Sequence, residues 1–223
     1  MNYISDRYIT NHELNEINSV PIVREYSNFV LTDDEIKFVS NSEDMTYINR
    51  KRTNGLSSNK FLLENSRLKR VKDFINDRMM NYIDNVVQVS NKFELTQSWS
   101  TISKKGQYHH YHDHPNSIFS VIYYAQCESG DIQFYLKPRV KDGFNFSFKV
   151  EEWNNFNCGC WMYPVRTGDL MIFPAWIHHD TKPNENDTDR IIIGANYFIK
   201  GKVGEYDKTD LIEIYNYENI HSR

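Results

Sequence analysis

After Asn91 the spacing of apolar residues switches from about 3.6 to 2, the change from a helical to a strand period. Phe93, Leu95 and Trp99 alternate with Glu94, Thr96 and Ser98. Short β-rich runs follow at Ile118 to Ala125, Asp131 to Leu136, Phe144 to Val150, Cys160 to Tyr163, Leu170 to Phe173 and Arg190 to Ile199. Between them stand the turn dipeptides Pro115-Asn116, Ser129-Gly130, Asp142-Gly143, Gly168-Asp169 and Pro183-Asn184. With the histidine-rich run from His109 to His114 taken as a further strand, about eight short strands are expected, the pattern of a sandwich or jelly roll.

Upstream the pattern is helical. Thr32-Asp33-Asp34-Glu35 sets a hydroxyl three residues before a glutamate and just ahead of Ile36, Phe38 and Val39, the sequence of a capping box, so a short helix starts there. From Ser66 to Val87 apolar residues recur at three- and four-residue steps, predicting the longest helix, with the role of covering one face of a sheet. Arg50 to Lys60 carries loop signals. At 223 residues the chain suits one domain: a mainly helical cover over residues 1–90, a β core over 91–200 and a tail over 201–223 with a strand-like Leu211 to Tyr217.

A net charge of -4 makes nucleic acid an improbable partner, because a broad basic footprint is absent. No apolar stretch approaches the ~20 residues of a membrane span, and the N-terminal residues lack a secretory apolar centre, so a cytoplasmic protein is expected. Three cysteines, Cys127, Cys158 and Cys160, are too few and too odd in number for a disulfide framework. Cys158-Gly159-Cys160 reads as a turn or strand feature, there being no second pair to complete a zinc site.

Six of the eight histidines fall in two windows, His109, His110, His112 and His114, and then His178 and His179. Imidazole is the commonest protein ligand for transition metals, so the clustering points to a metal centre assembled from distant strands. In an extended strand His110, His112 and His114 share one face, and Pro115 ends the run so that His112 and His114 lie at its mouth. A third ligand from His178 or His179 completes a facial site with open coordination positions. An ordinary reading stands beside this: single histidines are usually surface or hydrogen-bonded residues, as expected for His12, His109, His110 and His221. Arg190 alone could be a partner of Asp187 or Asp189, but an arginine aimed into a barrel needs an anion.

The stretches GQYHHYHDHPNSIFSVIYY, SGDIQFYLKPR and GDLMIFPAWIHHDTKPNENDTDRIIIGANY resemble the iron(II)/2-oxoglutarate-dependent dioxygenases of the prolyl-hydroxylase-like group, known from bacteria and phages. The resemblance spans Phe93 to Phe198 and implies a double-stranded β-helix (jelly roll) behind N-terminal covering helices. It implies that, with Gly106 setting the register, His112, His114 and His179 hold iron(II), and that Arg190 holds the distal carboxylate of 2-oxoglutarate. Tyr124 is a candidate to assist at that carboxylate, with core packing as the alternative. Ser120 shares its strand face, and Asn196 is a candidate to reach inward near the metal. The reaction implied consumes O2 and hydroxylates a further substrate, with release of succinate and carbon dioxide, in a bacterial or phage-infected cell. His114 stands where most of the superfamily has an aspartate. Two rivals therefore remain, a cupin-like three-histidine metal dioxygenase that needs no 2-oxoglutarate and a non-catalytic jelly-roll module. Trp99, Trp161 and Trp176 are candidates for a substrate mouth, with core packing the commoner role of aromatics; the substrate itself is not legible, and an exposed sheet edge or the tail strand offers a route to a homodimer.

Overall fold

A computed structural model describes residues 19–41, 45–128, 130–135, 149–154 and 158–214. The expected run Phe144 to Val150 and the turn Asp142-Gly143 lie largely outside these residues, as do His12 and His221.

Two strands carry the design. β5 (Phe119–Gln126) and β10 (Arg190–Val203) are buried on both faces where they pair, so apolar residues occupy consecutive positions rather than alternate ones. Val121, Tyr123, Ile191, Ile193 and Ala195 face outward into one core, whereas Ile122, Tyr124 and Ile192 face inward into another. β8 (Asp169–Pro174) repeats the division, with Leu170 and Ile172 outward and Met171 and Phe173 inward. The outward core is closed by helices. Thr32 caps α1 (Asp33–Val39) with the reciprocal Thr32–Glu35 hydrogen bonds of a capping box. The long helical segment begins as a 3-10 turn at Ser66–Leu68, continues as α2 (Lys69–Tyr82) and ends in a π turn at Ile83–Val87. Val71, Ile75, Met79 and Tyr82, spaced three or four apart, are buried in the core they share with the sheet's outer face.

The major sheet runs β1 (Val23–Tyr26), β8, β5, β10, β4 (Lys92–Ser103), β3 (Gly55–Ser57) and β2 (Met45–Thr46), with β11 (Ile212–Ile214) added to the far end of β10. A minor sheet of β7 (Cys160–Pro164), β6 (Asp131–Tyr135) and β9 (His178–Thr181) forms the opposite wall. All pairings within the sheets are antiparallel. This is the expected jelly roll, mainly β, with N-terminal covering helices.

Two local expectations change. The segment Arg50 to Lys60 is not all loop, since Gly55 to Ser57 pairs with β4. The histidine-rich run is not a regular strand. It lies beside β9, but His109 is bonded to Thr181 and His112 to His179, three residues against two. The extra residue is a bulge, which interrupts the alternation of side chains and makes His109 stack on His112.

Candidate metal centre

β9 alternates cleanly: His179 and Thr181 point into the barrel and are buried, while His178 and Asp180 point outward. His112 lies directly opposite His179, each donating its backbone N–H to the other's carbonyl at 3.0 and 2.9 Å, so both side chains emerge on one face. Two residues on, His114 donates its N–H to the Ala175 carbonyl at 3.0 Å, which brings its ring to the same face. Ligating atoms of His112, His114 and His179 all lie within 4.8 Å of one another. Asn116, with φ of 61°, then turns the chain away into β5.

Tautomers follow from the neighbours. His112 Nδ1 meets the His110 carbonyl at 2.7 Å and His179 Nδ1 meets the Ile177 carbonyl at 3.1 Å. A carbonyl only accepts, so each Nδ1 carries the hydrogen and each Nε2 presents a lone pair, the arrangement that orients a metal-binding imidazole. His114 Nε2 lies 3.4 Å from His179 Nε2. Two lone pairs at that distance repel unless a proton or a cation lies between them. Burial pushes His179 well below its ordinary pKa, with the His112 and His114 rings adding to the effect, and burial with His112 holds His114 down to about 3. His112 is lowered by burial too, against the raising influence of the His110 carbonyl. All three are neutral near pH 7, the form a metal requires.

The carboxylate nearest in sequence is not a ligand. Asp113 points to the other side, its Oδ2 3.7 Å from His178 Nε2, and His178 also stacks on Tyr111. Among the described residues the cluster is therefore made of imidazoles alone.

Arg190 opens β10 and points inward at 3% exposure. Its Nη2 donates to Thr181 Oγ1 at 2.9 Å and to the Lys182 carbonyl at 3.0 Å, whereas buried Nη1 has no partner. Its hydrogen bonds among the described residues go to neither proposed aspartate, and Asp187 pairs with Lys105 at 2.8 Å. Burial lowers the pKa of the guanidinium, opposed by the nearby Tyr124, Cys127 and Asp131. The Tyr124 hydroxyl is likewise buried without a partner, and burial raises its pKa. A Cβ at Gly130 would come within 2.9 Å of Arg190 Nη1, so glycine leaves the guanidinium its space. An unsatisfied guanidinium N–H and an unsatisfied phenol O–H inside one barrel are two donors that a carboxylate could accept.

Ser120 and Asn196 are paired across β5 and β10, Ser120 Oγ donating to Asn196 Oδ1 at 2.8 Å, both buried. They lie four residues from Tyr124 along β5, roughly 13 Å by strand rise, and so cannot share a small ligand's carboxylate with Arg190. Trp99 stands 5.5 Å from His114, held over Gly194, where a Cβ would meet the indole at 2.5 Å. Trp161 is half-buried and Trp176 exposed. The residue missed by sequence reasoning is His109, expected to be an ordinary surface or hydrogen-bonded residue but stacked on His112 with centroids 4.2 Å apart. Only the bulge puts it there, and no sequence signal marks the bulge.

The family model "Putative 2OG-Fe(II) oxygenase" matches residues 97–196, from within β4 to within β10. No curated protein sequence matches the chain. Among solved structures, the non-haem α-ketoglutarate-dependent carbocyclase SnoK from nogalamycin biosynthesis is similar at a TM-score of 0.57 and 12% identity, over 90% of this chain and 85% of that one. A Pseudomonas putida prolyl-4-hydroxylase superposes at 0.52 with 12% identity, over 81% and 93%. HygX from Streptomyces hygroscopicus, solved with nickel, 2-oxoglutarate and hygromycin B, superposes at 0.51 with 14% identity, over 80% and 82%. At these identities the superpositions establish the shared fold. The sequence match covers residues 97–196, so the β core of this chain is similar in sequence to the 2OG-Fe(II) oxygenases.

Proposed function

We propose that the protein is an iron(II)- and 2-oxoglutarate-dependent oxygenase that hydroxylates a further substrate, releasing succinate and carbon dioxide. The observation that carries this reading is the pairing, within one barrel, of three neutral inward imidazoles with a buried arginine whose Nη1 lacks a partner. His112, His114 and His179 would hold the metal by Nε2 lone pairs, leaving open the remaining positions of a facial site. Bound iron would supply the oxygen activation that no side chain can.

The chain's own residues bind, orient and dry the site. Arg190 Nη1 and the Tyr124 hydroxyl would take the distal carboxylate. Thr181, which fixes Arg190, is two residues from His179 on the same inward face, roughly 7 Å by strand rise. That spacing suits a five-carbon dicarboxylate held at one end by a metal. Phe134, Phe173 and Ile192 wall the interior and exclude water. Ser120 and Asn196 satisfy each other at the His114 end and would turn toward a ligand there only by exchanging that hydrogen bond.

The test is anaerobic titration of the metal-free protein with iron(II) and then 2-oxoglutarate. The expected result is one iron per chain followed by the visible charge-transfer band of a metal-bound 2-oxoacid, with both lost in His179→Ala. A second reading, a three-histidine dioxygenase that needs no 2-oxoglutarate, is favoured by the absence of a carboxylate from the cluster. Iron binding without the band, and oxygen consumption indifferent to 2-oxoglutarate, would select it. No iron binding would leave a non-catalytic module.

A further inference from the structure

The bulge beside β9 turns His109 into the barrel, and its surroundings give the residue a task. Its backbone is clamped by Thr181, whose Oγ1 accepts the His109 N–H at 2.9 Å and whose N–H donates to the His109 carbonyl at 3.1 Å. The same Oγ1 accepts Arg190 Nη2 at 2.9 Å, so His109 starts beside the guanidinium. Its ring then reaches back to lie nearly parallel to the ring of His112, at 4.2 Å and 15°. His109 therefore bridges the two ends of the pocket, from the arginine to the metal-binding imidazoles. Among the described residues neither of its ring nitrogens has a hydrogen-bond partner. His109 as a whole is half-buried.

We propose that His109 is a co-substrate-binding and length-selecting residue, whose imidazole forms the flank of the pocket between His112 and Arg190 and donates its ring N–H to the 2-oxoacid. This rests on the oxygenase reading above. A bare stacking role would need no hydrogen-bonding ring, and a surface role would not clamp the residue to the threonine that holds Arg190. The consequence is a pocket fitted to a five-carbon dicarboxylate and closed against one methylene more.

Calorimetry on the Mn(II)-loaded, full-length protein under nitrogen separates the components. His109→Phe preserves an aromatic ring over His112 and removes the donor. It should weaken 2-oxoglutarate binding about 10-fold or more, the worth of a hydrogen bond to a charged group, with Mn(II) affinity within about 3-fold of wild type. His109→Ala also opens the flank, and the preference for 2-oxoglutarate over 2-oxoadipate should fall by about 10-fold relative to both wild type and the Phe variant, the worth of one methylene in a fitted site. Wild-type 2-oxoglutarate affinity and wild-type discrimination in both variants would overturn the assignment of His109. So would a loss of Mn(II) affinity large enough to account for the weaker 2-oxoacid binding, which would mark a purely structural ring. If the wild-type protein itself binds Mn(II) but no 2-oxoglutarate, the oxygenase reading fails instead, and the His109 proposal falls with it.

Discussion

Replacing Arg190 with methionine separates two consequences that usually travel together. The guanidinium is buried with Nη1 unpartnered among the described residues, and its two hydrogen bonds go to Thr181 and the Lys182 carbonyl. Losing those bonds costs about 1–3 kcal/mol, and removing an uncompensated buried charge offsets a comparable amount. Arg190→Met should therefore leave the unliganded protein within about 2 kcal/mol of wild type. The liganded protein should differ sharply. Truncating one partner of a buried charge pair costs about 2–5 kcal/mol, a loss of roughly 30- to 5,000-fold in 2-oxoglutarate affinity. Thermal unfolding of the Mn(II)-loaded protein reads both effects. At 2-oxoglutarate one hundred times the wild-type Kd, wild type gains about 2.7 kcal/mol, or about 5–11 °C for a chain of this size. At the same concentration the variant should gain less than about 1 kcal/mol, about 4 °C at most. An equal ligand-induced shift in the two proteins would refute the assignment of Arg190. A collapse of the variant without 2-oxoglutarate would refute the view that this guanidinium is not needed by the fold itself.

Further expectations follow from the same contacts. The pKa values of His112, His114 and His179 are depressed in the folded chain, so below about pH 6.5 the unfolded state takes up protons that the folded state refuses. The stability that His114 contributes is thus complete above that pH and is lost as pH falls toward its folded value of about 3. Metal-free protein followed by urea denaturation should lose stability steadily below pH 6.5, and a flat profile would contradict the burial of the cluster. Ile75→Ala removes a fully buried side chain of α2 and should cost about 2–5 kcal/mol in urea denaturation; a cost below about 1 kcal/mol would mean that α2 does not close the outward core. Gly194→Ala should cost about 1–3 kcal/mol by driving a Cβ into Trp99, and Trp99→Leu should relieve most of it. Additive costs in that double-mutant cycle would show that the glycine is not there to seat the indole beside His114.

Much of this molecule could be read from its residues. The switch of period after Asn91, the capping box at Thr32 and the three- and four-residue spacing from Ser66 to Val87 are local signals, produced by the geometry of a single element, and each reappears in the structure. The approach of the H-x-H pair His112 and His114 to a histidine at the end of another strand was legible too; the residues left His178 and His179 open, and the family resemblance pointed to His179, which the structure brings to the cluster. Gly55 to Ser57 was not legible as a strand, since only the free edge of β4 makes it one.

What the tertiary structure alone decided concerns relations between segments. Which of His178 and His179 faces inward depends on the register of β9 against β6, and a shift of one residue would exchange them. The pairing of Asp187 with Lys105 across the surface freed Arg190 from its neighbours in sequence and left it needing an anion. The single extra residue between the Thr181 and His179 pairings brought His109, expected to be an ordinary surface or hydrogen-bonded residue, into a stack on His112. Periodicity along a chain fixes the face of a side chain relative to its own strand; which face is the interior, and where the count slips by one, is settled only when a second strand is laid against it.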